Sequence, residues 1–412
     1  MKQFMEPTVI ATHLVNDNFF EYIDCNIGCT DCTRLILRNE NVDFDKSFAI
    51  QQIEFLKRFQ NKLPELLSNR RFLFPQKLSG EQCTHQDVAM LHAKLFSNTD
   101  DVLDMTMGLG VDSYYISKRA KSVTGIELNE EIASVSKYNY AELAPNLQVI
   151  NGDSIEYLNT CEKKYSAVFI DPARRDSVGK RTYGFRDCTP NVIDLLPSIA
   201  KITSRLIIKA SPMLDISLSI NELKQVKHIW IISIKNSCKE LLFDLDLAQA
   251  PDNQNINIHT INFDSSIQRF DIPLSHITTG AQVHACPTLE PNRILLEPNA
   301  SIMKSGMTNY LLEKFEGITK LDVCSHLFVS DAEIVDFPGR QFIIEQVIPF
   351  KDKFLKPLKS LKTLNVSTRN FRLSAEQLKA RLGVKDGGEK YLFGTTLQNG
   401  QMVLIMCRRA CQ

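Results

Sequence analysis

The chain has 412 residues, 43 % hydrophobic and 23 % charged, with a formal net charge of zero; this is the composition of an ordinary soluble protein. No apolar run approaches the roughly 18 residues needed to span a bilayer. The opening MKQFMEPTVIATHLV lacks the basic stretch and long apolar core of a signal peptide, so a cytoplasmic location without membrane contact is expected. At roughly 100–200 residues per domain, two to four domains fit.

The first 77 residues read as a helical region. In AIQQIEFLKRFQNKLPELL the apolar residues Ile50, Ile53, Leu56, Phe59, Leu63 and Leu66 recur every three or four positions, the period of one helix face. Pro64 is a point at which this helix kinks or ends. Ahead of it lies CNIGCTDC, with Cys25, Cys29 and Cys32. The spacing is that of a radical-enzyme iron–sulfur loop, but such a loop follows the first strand of a βα barrel, and zinc would need a fourth ligand. Incidental cysteines and no metal are expected. The eleven cysteines, most of them isolated, read as reduced thiols and not as a disulfide framework.

From about residue 100, short apolar strands alternate with amphipathic segments: DVLDMT, SVTGIEL, LQVINGD, YSAVFIDP and RLIIKASP, with helices near 112–119, up to Leu143 and near 191–202. The alternation predicts a doubly wound, mostly parallel α/β sheet. HIWIISI and KELLFDL, flanking Lys235–Asn236, predict a hairpin that puts an antiparallel strand at the sheet edge. APDNQNINIHT (250–260) reads as a polar loosening of the pattern. Small α+β modules are expected at 281–325 and 326–412, after an α/β domain at 78–250. In the last module LSAEQLKARLGV predicts a helix with Ser374 as N-cap and Gln377 in a capping box. From Lys351 onward there are 13 Lys and Arg against 4 Asp and Glu, a net of +9, which points to a polyanionic partner such as RNA.

The chemistry concentrates at the strand ends. In VLDMTMGLGVD a strand ends in Asp104 and turns through Gly108 and Gly110 into a helix; glycine lets a ligand approach the backbone closely, at the strand ends where open α/β sheets bind. A dinucleotide would want a third glycine where Ser113 stands, and Asp112 at the helix start would repel a pyrophosphate. S-adenosylmethionine, cationic and free of phosphate, suits these acids. Glu127, ending the second strand, has two oxygens for two ribose hydroxyls. Asp153 ends the third strand and is placed to accept from an adenine amino group, with Ile155 beside the ring. The fourth strand ends in Asp171–Pro172, where a transferred methyl would meet its acceptor. In amino-methylating enzymes this position reads [DN]-P-P-[YFW]; here Ala173–Arg174–Arg175 replaces the aromatic. The following basic and aromatic run, including Arg174, Arg175, Tyr183 and Phe185, suits phosphate contacts and base stacking. Lys209, ending the fifth strand, is within reach of the cleft or of a phosphate.

On these residues, together with EQCTHQDVAMLHA, LLEPNASIMKSG, STRNFRLSAEQL and KDGGEKYLFGTT, the chain from about residue 78 resembles class I S-adenosylmethionine-dependent methyltransferases with a THUMP-like C-terminal domain. Its catalytic part is similar to RNA cap guanine-N2 methyltransferases. The resemblance implies methyl transfer to a nucleobase of RNA, with an exocyclic guanine amine as the candidate atom, and a ferredoxin-like module before the THUMP-like one. It also implies that Gln82 and Thr84 fold over the cofactor and that Met105, Thr106, Leu128 and Ser154 join its site, with Asp171 and Pro172 at the reacting end. The departure from the aromatic motif leaves two other readings open: an RNA-binding adaptor with a vestigial pocket, and a methyltransferase for a small molecule or protein.

Overall fold

A computed structural model describes residues 15–174, 184–250, 255–274 and 289–410. The chain divides into two compact units, Met1–Gln225 with Phe243–Pro251, and Val226–Leu242 with Asp252–Gln412.

The first unit opens with α1 (Asp17–Asn26), α2 (Thr33–Leu37) and α3 (Lys46–Phe59). The Asn16 and Asp45 side chains cap α1 and α3 by accepting from the Phe19 and Phe48 amides. The six apolar residues of the helical period are all buried. The helix ends sooner than its pattern: α3 stops at Phe59, and Leu63 and Leu66 reach the core from turns around Pro64. Two short helices, α4 (Lys77–Gln82) and α5 (Gln86–Ala93), then lead to the sheet.

The sheet is built by β1 (Asp101–Asp104), α6 (Val111–Ser117), β2 (Ser122–Glu127), α7 (Glu130–Leu143), β3 (Leu147–Asn151), α8 (Ser154–Thr160) and β4 (Ala167–Ile170). A two-stranded ribbon, β5 (Ala173–Arg174) and β6 (Cys188–Thr189), follows, then α9 (Val192–Ile202), β7 (Arg205–Ala210) and α10 (Ile216–Leu223). The order β7-β4-β1-β2-β3 is parallel throughout. Val168, Phe169, Ile170, Leu206, Ile207 and Ile208 are all buried, as strands covered on both faces require. Asn129, Asp153, Asn191 and Asp215 each cap the helix they precede, so polar residues beyond strands also serve as helix starts.

The next strands are β8 (Val226–Ile234) and β9 (Ser237–Asp246). Lys235 and Asn236 both have positive φ, 48° and 58°, the two-residue turn that suits strand twist. In the first unit, β9 lies beside β7, and Arg205 grips Asp244 with two bonds of 3.0 and 2.6 Å. The expected hairpin is present, but it is not the edge. β10 (Asn257–Phe263) pairs in parallel with β8, and β11 (Ile267–Pro273) pairs antiparallel with β10. The supposed polar loosening already contains β10, because Ile256 and Ile258 are buried among the asparagines.

The second unit continues with β12 (Ile294–Pro298), α11 (Ala300–Ser305), α12 (Tyr310–Lys314), β13 (Thr319–Lys320), β14 (Phe328–Ser330) and β15 (Gly339–Pro349). It ends with α13 (Asp352–Leu355), β16 (Asn365–Thr368), α14 (Ala375–Leu382), β17 (Lys390–Thr396) and β18 (Met402–Arg409). These strands form one sheet in the order β13-β14-β12-β15-β18-β17-β16. One cluster, with Leu295, Phe342, Phe393 and Ile405, and another, with Leu364, Leu378, Leu392 and Leu404, pack it. α14 carries the expected Ser374–Gln377 capping box and ends at Gly383 with φ +70°. A fully buried carboxylate, Glu297 on β12, accepts from Arg340 Nε at 3.1 Å and Arg369 Nη2 at 3.0 Å. The expected module start near 281 lies outside the described residues.

Candidate active site

The loop after β1 is fixed by its own backbone and by α7. Met105 N donates to Phe169 O at 3.0 Å and Met107 N to Ile126 O at 2.9 Å. Ser136 and Tyr140 of α7 donate to the carbonyls of Gly108 and Leu109. Gly110 has φ +78°, and a Cβ there would meet Met107 Cε at 2.4 Å and Tyr140 Cε2 at 2.7 Å. Gly108 has φ +55° and nothing within 4 Å of its Cβ position. One glycine is thus required by packing, and the other leaves open space at the strand end.

That space is a cavity of about 170 Å³. Gln82, Thr84, Asp104, Thr106, Gly108, Gly110, Asp112, Asp171 and Lys209 line it. Four acidic or basic groups from four strands or helices converge here. Asp104 is buried; its carboxylate accepts from Ser113 Oγ at 2.6 Å and from Thr106 N at 3.0 Å. Burial is the main force on it, with the Asp112 and Asp171 charges adding, and its carboxyl is raised to about 7 despite those two hydrogen bonds.

Asp112 does not stand free at the helix start. His92 Nδ1 lies 2.8 Å from one oxygen, and Thr84 Oγ1 and Lys209 Nζ donate to the other at 2.5 and 3.3 Å. Burial pushes this carboxyl up, but the Lys209 charge, His92 and the Thr84 hydroxyl outweigh it and hold it well below the usual range. Lys209 Nζ also donates to Thr84 Oγ1 at 2.7 Å and lies 2.7 Å from Asp171 Oδ2. The Asp171 amide donates to Thr106 Oγ1 at 2.6 Å, and its side chain is 41 % exposed.

The other expected residues surround this centre. Glu127 accepts from Gly108 N at 2.9 Å and Asn129 N at 2.8 Å, one bond to each oxygen. Asp153 caps α8 through the Ile155 amide, with Ser154 opening that helix. Leu128 and Ile155 are apolar yet 71 % and 37 % exposed. Met105 is buried, and it joins the loop through its backbone. Pro172 is buried behind Asp171. Phe185 does not face a cleft: it is fully buried, edge-on to Phe243 at 5.3 Å, so its role is core packing and not base stacking. Arg174 contributes backbone to β5, paired with Cys188. Arg175 and Tyr183 lie outside the described residues. Lys209, expected at the acceptor side, is instead an internal member of the charge network.

These residues fit S-adenosylmethionine. Gly108 offers room beside the backbone, the Glu127 oxygens each keep a free lone pair for a ribose hydroxyl, and Leu128 and Ile155 present apolar surface suited to an adenine ring. His92 is the main residue that sequence reasoning missed. It lies 20 residues before Asp112, and no local spacing links the two. Cys83 also lines the cavity, and burial pushes its thiol up. Among the described residues no group of three or more His, Cys, Asp or Glu is arranged to hold a metal. Nor is any helix long and apolar enough to cross a membrane.

Comparison with known proteins adds a second line. A family model described as a ferredoxin-like domain matches residues 295–338, and one described as THUMP domain-like matches 339–409. The chain is similar over 97 % of its length to all of a Porphyromonas gingivalis W83 protein whose crystal structure is described as a "putative methyltransferase", with 28 % identity and a TM-score of 0.85. An "uncharacterized RNA methyltransferase" of Mycoplasma mobile is 36 % identical over 77 residues, 18 % of this chain and 21 % of that one. The ribosomal RNA small subunit methyltransferase J of Francisella tularensis subsp. novicida is 31 % identical over 80 residues, 17 % of this chain and 33 % of its own. The chain thus spans between a fifth and a third of these curated relatives.

Proposed function

We infer that this chain, a methyltransferase by fold and domain make-up with ferredoxin-like and THUMP-like modules at its C-terminal end, transfers a methyl group from S-adenosylmethionine to a nucleobase of RNA. The observation that carries the reading is Asp171: a half-exposed carboxylate at the mouth of the cavity, at the end of β4, with its backbone and side chain both anchored. The similarity to two RNA methyltransferases over 77 and 80 residues supports RNA as the substrate class.

The cofactor supplies an electrophilic methyl on a sulfonium. The protein's contribution is alignment, since in-line displacement gains most from holding the acceptor within reach. Glu127 takes the ribose hydroxyls, and Leu128 and Ile155 flank the adenine. Asp171 accepts an N–H from an exocyclic base amine and turns its lone pair toward the methyl; it need not remove the proton before transfer. Guanine presents such an amine.

The RNA is held by the basic end of the chain. Lys353, Lys356, Lys359 and Lys362 recur every three residues along 353–362, and Lys353, Lys356 and Lys359 are exposed. Phe354 is exposed beside them. Lys385 follows at the bridge between Thr363 and Lys385. Spaced cations with an exposed ring suit a single-stranded phosphate backbone with stacked bases.

Calorimetry with S-adenosylmethionine tests the pocket. Binding that is lost in Asp104→Ala and kept in Asp171→Ala is expected; absence of heat at millimolar ligand overturns the methyl-transfer reading.

A further inference from the structure

Lys209 and Asp171 meet at the cavity, 2.7 Å apart. We propose that Lys209 is a positioning residue that, anchored by Thr84 and Asp112, holds the Asp171 carboxylate in the orientation that meets the acceptor amine. In its catalytic part this rests on the methyl-transfer reading above.

The three protons of an ammonium find three oxygens here: Thr84 Oγ1 at 2.7 Å, Asp112 Oδ2 at 3.3 Å and Asp171 Oδ2 at 2.7 Å. Lys209 is buried on β7, so its head has little freedom to follow another partner. Asp112 is fixed from its far side by the fully buried His92. Asp171 is fixed a second time through its amide, by Thr106. The carboxylate is therefore ordered before any acceptor arrives, which removes an ordering cost from the reaction.

Among the described residues, the charged groups around Asp171 include Lys209 from β7, Asp104 from β1 and Asp112 from α6, with His92 of α5 behind Asp112. Lys209 is the cation nearest to it among these. Removing Lys209 takes away a cation 2.7 Å from this carboxylate, so its titration should move up by about one to three pH units.

The test uses the full chain labelled with carboxyl-13C aspartate, the Asp171 signal being identified by its loss in Asp171→Asn. Lys209→Met should raise the Asp171 midpoint by that amount, and Lys209→Arg should restore it. Lys209→Met/Asp112→Asn removes the buried unpaired charge, so it should fold and still show a raised midpoint. An unchanged midpoint in both Met variants overturns the proposal. With RNA substrate, the acid limb of kcat should move with the carboxyl. If the midpoint moves but the wild-type chain methylates no RNA, the positioning stands and the methyl-transfer reading falls.

Discussion

Asp104 and Asp112 belong to one loop and helix start, yet their environments drive them in opposite directions. Asp104 has hydroxyl and amide donors and, among the described residues, no ion-paired cation, and burial raises it to about 7. Asp112 has Lys209 and His92 and is held far lower. The consequence for stability follows from linkage. Because the folded chain keeps the Asp104 proton more tightly than the unfolded chain, this carboxyl's contribution is fully present below about pH 4 and is lost as pH rises through 7. Asp112 stabilises in the opposite sense, and its contribution is lost only in strong acid. The drop in melting temperature between pH 5.5 and pH 8 should therefore shrink in Asp104→Asn; an identical drop in the variant would contradict the assignment. The two glycines separate fold from ligand in the same way. Gly110→Ala meets Met107 and Tyr140 at a left-handed backbone and should lower stability by more than the 1–2 kcal/mol of the backbone strain alone. Gly108→Ala meets no neighbouring atom but has the same left-handed backbone, φ +55°, so it should cost only the strain of about 1–2 kcal/mol while weakening S-adenosylmethionine at least tenfold by calorimetry.

At the scale of elements, legibility followed locality. The end of β4 was readable because the buried apolar run Ala167–Ile170 stops at Asp171. The Ser374 capping box was readable for the same reason, since all of its parts lie within four residues. The network was not readable, because His92, Asp112, Lys209 and Asp171 come from four elements and meet only through the sheet order. Phe185 misled because an aromatic among basic residues looks like a stacking platform, and burial against Phe243 has no local signature. The sheet edge misled because Asn253, Asn255 and Asn257 make 250–260 look like a loop, although Ile256 and Ile258 are buried. The basic segment has its own test. Replacing Lys353, Lys356 and Lys359 with alanine should weaken RNA retention uniformly across sequences and flatten the salt dependence by about one unit of slope per lost phosphate contact. Unchanged retention would place the RNA elsewhere.

At the scale of the molecule, the cavity and the basic chain end belong to different units: the first holds the cavity, and the second holds the residues from Lys351 onward. The ferredoxin-like and THUMP-like matches meet between residues 338 and 339, yet β12, in the first match, pairs with β15, which opens the second. Glu297 of β12 crosses the same join through Arg340 of β15 and through Arg369, just after β16. Glu297→Ala leaves those guanidinium groups without their buried partner and should destabilise the second unit by about 3–5 kcal/mol, read as an earlier thermal transition with S-adenosylmethionine affinity unchanged.

The most direct measurement is mass spectrometry of nucleosides from total RNA of a strain lacking the gene, complemented with the wild-type chain or with Asp171→Ala. The account predicts one methylated nucleoside missing from the deletion strain, restored by the wild-type chain and not by Asp171→Ala. The same set of methylated nucleosides in all of these strains would contradict it.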